Sequence, residues 1–135
     1  VTSPQRTARL LETVARYADA LHACDVELLD TVFHPAASLF DVDGGGQVVV
    51  DPFAQWRADV AARPSPASVG QEQAFEVLAV DWLWAGAAVV RVRLWVLDQL
   101  FVDHLCLVDT PEGFRVVAKV WHDATDDLPR PPTSA

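Results

Sequence analysis

The chain reads as an α+β fold in which N-terminal helices cover one face of a curved antiparallel sheet, and three observations predict it. From the N-terminus to about Phe33 apolar residues recur at helical spacing. From Ala74 onward the pattern changes to long strand-like segments rich in Val, Leu and aromatic residues. Only short turn sequences separate those segments, which makes consecutive strands antiparallel neighbours. Helices first and a meander afterwards pack as two layers, and the space between them is a natural pocket.

Ser3 followed by Pro4 opens the first helix, because Ser satisfies free amide groups and proline at the first helical position loses no needed donor. That helix is expected to reach about Ala23. Its Leu10, Val14, Tyr17 and Leu21 fall on one stripe, widened by Leu11 and Ala18, so Tyr17 belongs to the buried face. Asp25 caps a short second helix carrying Leu28, Leu29, Val32 and Phe33, which His34-Pro35 ends. Ser38 to Val42 reads as a strand with Leu39 and Asp41 on one face, and Asp43-Gly44-Gly45-Gly46 as a turn before Val48 to Val50. Asp51-Pro52 repeats the cap-then-proline signal for a helix through Trp56 to about Ala62, followed by a loop at Pro64 and Pro66. The strands of the second half are Ala74 to Val80, Ala87 to Leu97, Leu100 to Val108 and Phe114 to His122. Residues 1–123 are read as one domain, and the proline-rich residues 124–135 as a mobile tail with too little apolar content to pack.

With 135 residues and a hydrophobic fraction of 51%, the chain can bury a core without a disulfide or metal staple. A net charge of −9 repels phosphate backbones and anionic lipid, so nucleic acid and membrane partners are not expected. No apolar run is long enough to span a bilayer, the first residues lack the order of a signal peptide, and a cytoplasmic location is expected. Cys24 and Cys106 have no redox or metal spacing and read as packing thiols. Lys119 is the only lysine in a chain whose other basic residues are all arginine.

Candidate chemistry comes from polar residues inside apolar patterns. In Leu100 to Val108, alternation puts Phe101, Asp103, Leu105 and Leu107 on one face and Val102, His104, Cys106 and Val108 on the other. Asp103 is therefore either neutralised by a partner or kept protonated, and a protonated acid can donate to a developing oxyanion. Which of the two faces points inward decides between Asp103 and His104, and alternation alone leaves this open. Asp41, beside Leu39, is a candidate general base for moving a proton next to a carbonyl, with Asp43 as its competitor near the turn. The hydroxyl of Tyr17, the single tyrosine, needs a buried partner. His34, Phe40, Trp56, Phe101, His104, Lys119, Trp121 and His122 are candidate substrate contacts, Lys119 and Trp121 sharing a strand face opposite His122. The histidines and aspartates have no compact ligand spacing, so no metal is expected, and no cofactor is called for.

Arg16-Tyr17-Ala18-Asp19-Ala20-Leu21, Asp25, Phe33-His34-Pro35-Ala36-Ala37, Phe101-Val102-Asp103-His104-Leu105 and Val117-Ala118-Lys119-Val120-Trp121-His122 resemble the nuclear-transport-factor-2-like superfamily, in particular its lumazine-binding-like group. The resemblance runs from about residue 6 to 122. It implies a cone of helices on a strongly bent sheet, usually dimeric through the outer sheet face. Tyr17, Asp41 and Asp103 look like the oxyanion tyrosine, base and oxyanion acid of the ketosteroid isomerases in that superfamily. Asp41 departs from them in being followed by Val42 where proline is usual, and the His34, Lys119 and His122 signature belongs to the lumazine-binding-like group. Related polyketide cyclases and dehydratases imply action on a secondary-metabolite intermediate.

The expectation is thus a cofactor-independent isomerase, cyclase or dehydratase of an apolar carbonyl compound, working by an aspartate base and an oxyanion site. A non-catalytic binder of a flat aromatic molecule, stacked on some of the five tryptophans, is the alternative.

Overall fold

The computed structural model describes residues 3–127. Helix α1 (Ser3–Ala23) buries Leu10, Val14, Tyr17 and Leu21, the stripe set by its periodicity. The chain turns through Cys24, at φ 50, and Asp25 caps α2 (Val26–Asp30) by accepting the Leu28 N–H at 3.1 Å. Strand β1 (Phe33–Val42) follows and forms a hairpin with β2 (Val48–Pro52), which runs directly into α3 (Phe53–Ala62). A 3₁₀ turn at Ala67–Val69 then leads to the meander β3 (Phe75–Trp84), β4 (Ala87–Val96), β5 (Gln99–Thr110) and β6 (Gly113–Asp123).

The strand order is β2-β1-β6-β5-β4-β3, an open sheet with β2 and β3 at its edges. It is mixed, which corrects the all-antiparallel expectation: β1 and β6 pair in parallel. Short turns fix the direction of consecutive strands only, and β1 meets the last strand of the chain rather than its neighbour in sequence. Helix α1 lies across the inner face of this sheet, and its buried stripe joins Leu39, Val90, Val92 and Leu105 in one core.

Three local readings change. Phe33, expected in the second helix, opens β1 and stacks on Phe53 with centroids 4.8 Å apart and planes at 9°. His34-Pro35 consequently lies inside a strand, where the β1–β6 register is irregular between Phe33 and Ser38. Asp51 does not cap α3: Pro52 is the cap residue and makes no side-chain capping bond. In the expected tail, Ala124 is buried and its N–H donates to the Leu100 carbonyl at 2.8 Å, so the described part of that segment is docked. The remainder, 128–135, lies outside the described residues.

One irregularity positions the site. Leu107 pairs with Val116 but Cys106 pairs with Ala118, so Val117 is an extra residue in β6. Unbroken alternation would put Phe114, Val116, Ala118 and Val120 on the inner face. The bulge reverses the parity beyond it. Phe114 and Val116 face inward before it, Lys119 and Trp121 after it, and Val120 is left outside at 49% exposure.

Candidate functional site

At the end of the sheet where β5 begins and β6 finishes lies a cavity of about 240 Å³ between α3, β2 and the inner strands. Trp56, Phe101 and Trp121 supply aromatic walls, with Phe101 and Trp121 edge to face at 5.7 Å. Asp51, Asp59, Arg63, Asp103 and Lys119 supply the polar lining.

Three of the candidate residues meet at its edge: Asp103 and Lys119 line the cavity, and Tyr17 stands behind Asp103, outside the lining. The Tyr17 hydroxyl, fully buried, donates a short hydrogen bond to Asp103 Oδ2. Lys119 Nζ stands 3.6 Å from the same oxygen. Asp103 is 1% exposed and Lys119 6%. The ammonium sits 4.4 Å from the Trp56 ring centroid and 5.4 Å from that of Tyr17. Register explains the convergence: β5 sets Asp103 opposite Trp121 and Leu105 opposite Lys119, while α1 brings Tyr17 across the sheet. Asp103 Oδ1 and Arg63 Nε are buried with no hydrogen-bond partner among the described residues.

Burial pushes the Tyr17 phenol well above its ordinary range, and the adjacent Asp103 charge and hydrogen bond add to the effect. Tyr17 thus keeps its proton as a donor. Burial also pulls the Lys119 ammonium below its usual value; Asp103 opposes this and Arg63 reinforces it. In this arrangement the Lys119 ammonium can donate a hydrogen bond to a carbonyl oxygen in the cavity, and Asp103 beside it can accept a proton.

The other candidates are dispersed. Asp41 continues the row of Leu39 and is half-buried opposite Val49, but it is not among the cavity-lining residues. Its competitor Asp43 is a turn residue whose Oδ1 accepts the N–H groups of Gly45 at 2.9 Å and Gln47 at 3.0 Å. Phe40, one residue from Leu39, lies on the outer face opposite Val50 and Val120. His104 likewise faces outward, between Arg91 and Val120. His34 is exposed and its Nδ1 accepts the Ala36 N–H at 3.0 Å, and exposed His122 lies 3.6 Å from Asp127. The outward positions of Phe40 and His104 follow from alternation, which sends adjacent residues to opposite faces.

Sequence reasoning did not find Asp51, Asp59 and Arg63 as cavity residues. Trp56 and Asp59 are spaced by three, a signal for one helix face that was available, whereas Arg63 lies just past the end of α3 with an extended backbone. Asp51-Pro52 carries a capping signal in the sequence, and only the pairing of β2 with β1, which sets Asp51 opposite Leu39, turns it toward the cavity. Among the described residues, no group of three or more His, Cys, Asp or Glu side chains is placed to hold a metal ion, and no helix is long and apolar enough to cross a membrane.

The model of the family described as "Putative lumazine-binding" matches residues 5–122. The chain belongs to this family. Its fold is that of the nuclear-transport-factor-2-like superfamily. An NTF2-like protein of unknown function from Shewanella baltica superposes with a TM-score of 0.81 at 19% identity, over 91% of this chain and 97% of that one. One from Silicibacter pomeroyi, also of unknown function, gives 0.76 at 19% over 91% and 99%. A ketosteroid isomerase-like protein from Erwinia carotovora atroseptica gives 0.64 at 13% over 86% and 94%. No curated protein matches the chain. At these identities the likeness of this lumazine-binding-like family member to solved structures establishes the fold, and function has to be argued from the cavity.

Proposed function

We propose that the chain is an enzyme of flat, apolar carbonyl compounds that moves a proton next to the carbonyl, the first step shared by isomerases, cyclases and dehydratases of this type. The observation that carries the reading is the buried Asp103–Lys119 pair on one side of an aromatic-walled cavity, with Tyr17 bonded to Asp103 from behind. In this reading the substrate's rings lie among Trp56, Phe101 and Trp121, and its carbonyl oxygen meets the Lys119 ammonium, which stands beside Asp103 and the Tyr17 hydroxyl bonded to it. A base must also reach the adjacent carbon. Asp51 lines the cavity from β2 and takes the role first expected of Asp41. Proton transfer of this kind needs only side-chain acids and bases. Two copies pairing through the outer sheet face, around exposed Val120, and a reducing compartment such as the cytoplasm, in keeping with the two free cysteines, complete the proposal.

The family description and the aromatic walls support a second reading, a protein that binds a flat heteroaromatic molecule without transforming it. Hydrogen–deuterium exchange separates the two. With 2-tetralone in D₂O, wild type is expected to speed exchange at the carbons flanking the carbonyl, and Asp51→Asn to lower that rate by about 10²-fold or more. Saturable tetralone binding without faster exchange would leave only the binding reading, and absence of both would sink the two together.

A further inference from the structure

We infer that Lys119 is a nucleophile that takes carbonyl ligands covalently, as an imine, in the cavity it lines. The inference rests on the carbonyl-binding reading above and goes beyond it, since that reading asks Lys119 only for charge and hydrogen bonding.

Four observations carry it. Lys119 is buried and lines a cavity large enough for a bicyclic ring system, so its amine and a bound carbonyl would be confined together. Its Nζ lies over the Trp56 ring, so a ring stacked along that wall would bring its substituent to the amine. The 3.6 Å separation from Asp103 Oδ2 marks an ion pair without a close hydrogen bond, which leaves the nitrogen free to turn toward a ligand. Asp103, held by the Tyr17 hydroxyl, is a carboxylate placed beside the amine where it can accept and return a proton. The lowered ammonium pKa agrees with this geometry, because the neutral amine is the reactive form.

The step balances with groups already present. The neutral Lys119 nitrogen forms a bond to the carbonyl carbon while the carbonyl π pair moves to oxygen. Asp103 accepts one proton from the nitrogen and passes it to the alkoxide oxygen, giving a carbinolamine. The remaining N–H proton goes by the same carboxylate to the hydroxyl, which leaves as water while the nitrogen lone pair forms the C=N bond, and Asp103 ends as the carboxylate. One amine and one carbonyl become one imine and one water, with no change of oxidation level. The protonated imine is a stronger electron sink than the ketone, so proton removal from the neighbouring carbon by Asp51 becomes easier.

The test is reductive trapping with 2-naphthaldehyde and sodium cyanoborohydride, with 2-naphthol as a non-covalent ligand of the same shape. The aldehyde has no hydrogen on the adjacent carbon to exchange, so trapping is read independently of proton transfer. Because Lys119 is the sole lysine, peptide mapping need only separate it from the chain's α-amino group. The expected result is one naphthylmethyl group on Lys119, formed at least about tenfold faster than in urea-unfolded chain, a modest share of what confinement provides. Excess 2-naphthol should suppress it, and Lys119→Arg, which keeps the cation, should abolish it. If 2-naphthol binds but Lys119 is modified no faster than in unfolded chain, the covalent role is overturned and the binding reading stands. If neither binding nor modification occurs, both fall. The wild-type comparison decides the matter even where the arginine variant does not fold.

Discussion

Strands β5 and β6 carry two different environments on one face. Toward their shared turn the inner surface is dry: Leu107, Phe114 and Val116 are buried, Trp82 meets the Phe114 ring edge-on at 5.9 Å, and Thr13 bonds the Phe114 carbonyl at 3.3 Å. At the opposite end the same face carries Phe101, Asp103, Lys119 and Trp121 around a cavity. The first region is held by dispersion and the removal of apolar surface from water, terms that accumulate atom by atom. The second holds ions that were expensive to bury and are tolerable only as a set. A fold can therefore spend the stability of one end on the chemistry of the other, and the two ends should respond differently to mutation.

Deleting Val117 should have the largest effect, because it restores strict alternation and sends Lys119 and Trp121 outward. We expect a loss of at least about 3–5 kcal/mol in urea unfolding together with loss of aromatic-ligand binding, since Asp103 would be left buried without its cation. Retention of binding in a folded deletion variant would show that the bulge does not aim the site.

Next come single changes at each end. Phe114→Ala should cost about 3–5 kcal/mol by opening a cavity in the dry region. Lys119→Met should cost about as much for a different reason, an unpaired buried charge. The distinguishing measurement is the second mutation. Lys119→Met with Asp103→Asn should recover most of the loss, whereas Phe114→Ala has no partner change that restores it. Simple additivity in the Lys119/Asp103 cycle would mean that the pair is not coupled in the folded chain.

A smaller effect is expected in the alkaline range, and its sign follows from the two shifts. Lys119 has a folded pKa below the ordinary 10.5, so just below 10.5 the unfolded chain binds the proton that the folded chain has released, and stability rises with pH. Tyr17 has a folded pKa well above 10.0, so above 10.0 the folded chain retains the proton that the unfolded chain loses, and stability falls. Unfolding free energies measured across this range should lack the rise in the Lys119→Met/Asp103→Asn double variant and lack part of the fall in Tyr17→Phe. The smallest effect belongs to the half-exposed Arg9–Asp109 pair at 3.0 Å. Arg9→Ala should change stability by no more than about 1 kcal/mol, less in high salt, because solvent screens the charges.

The helical stripe of α1, the Asp25 cap, the four long strands and their turns were legible in the sequence because each depends on residues within a few positions of one another. The same local logic put Tyr17 on a buried face and marked Asp103 as a carboxylate in an apolar strand. It could not tell whether Asp103 or His104 points inward, since both faces of that strand read as apolar. Nor could it see that Asp51, with a capping motif, faces a cavity instead.

What the sequence by itself determined is therefore the set of elements and the unusual residues within them: a lone tyrosine, a lone lysine and a strand aspartate. What only the tertiary structure decided is their meeting. Tyr17 and Asp103 are 86 positions apart, the parallel pairing of β1 with β6 joins the two halves of the chain, and one extra residue at Val117 turns Lys119 toward the carboxylate. Period-two alternation is a local rule that one bulge reverses, and whether a bulge forms depends on how distant strands register. For that reason the parts of the site could be read from the sequence, while their assembly required the folded chain.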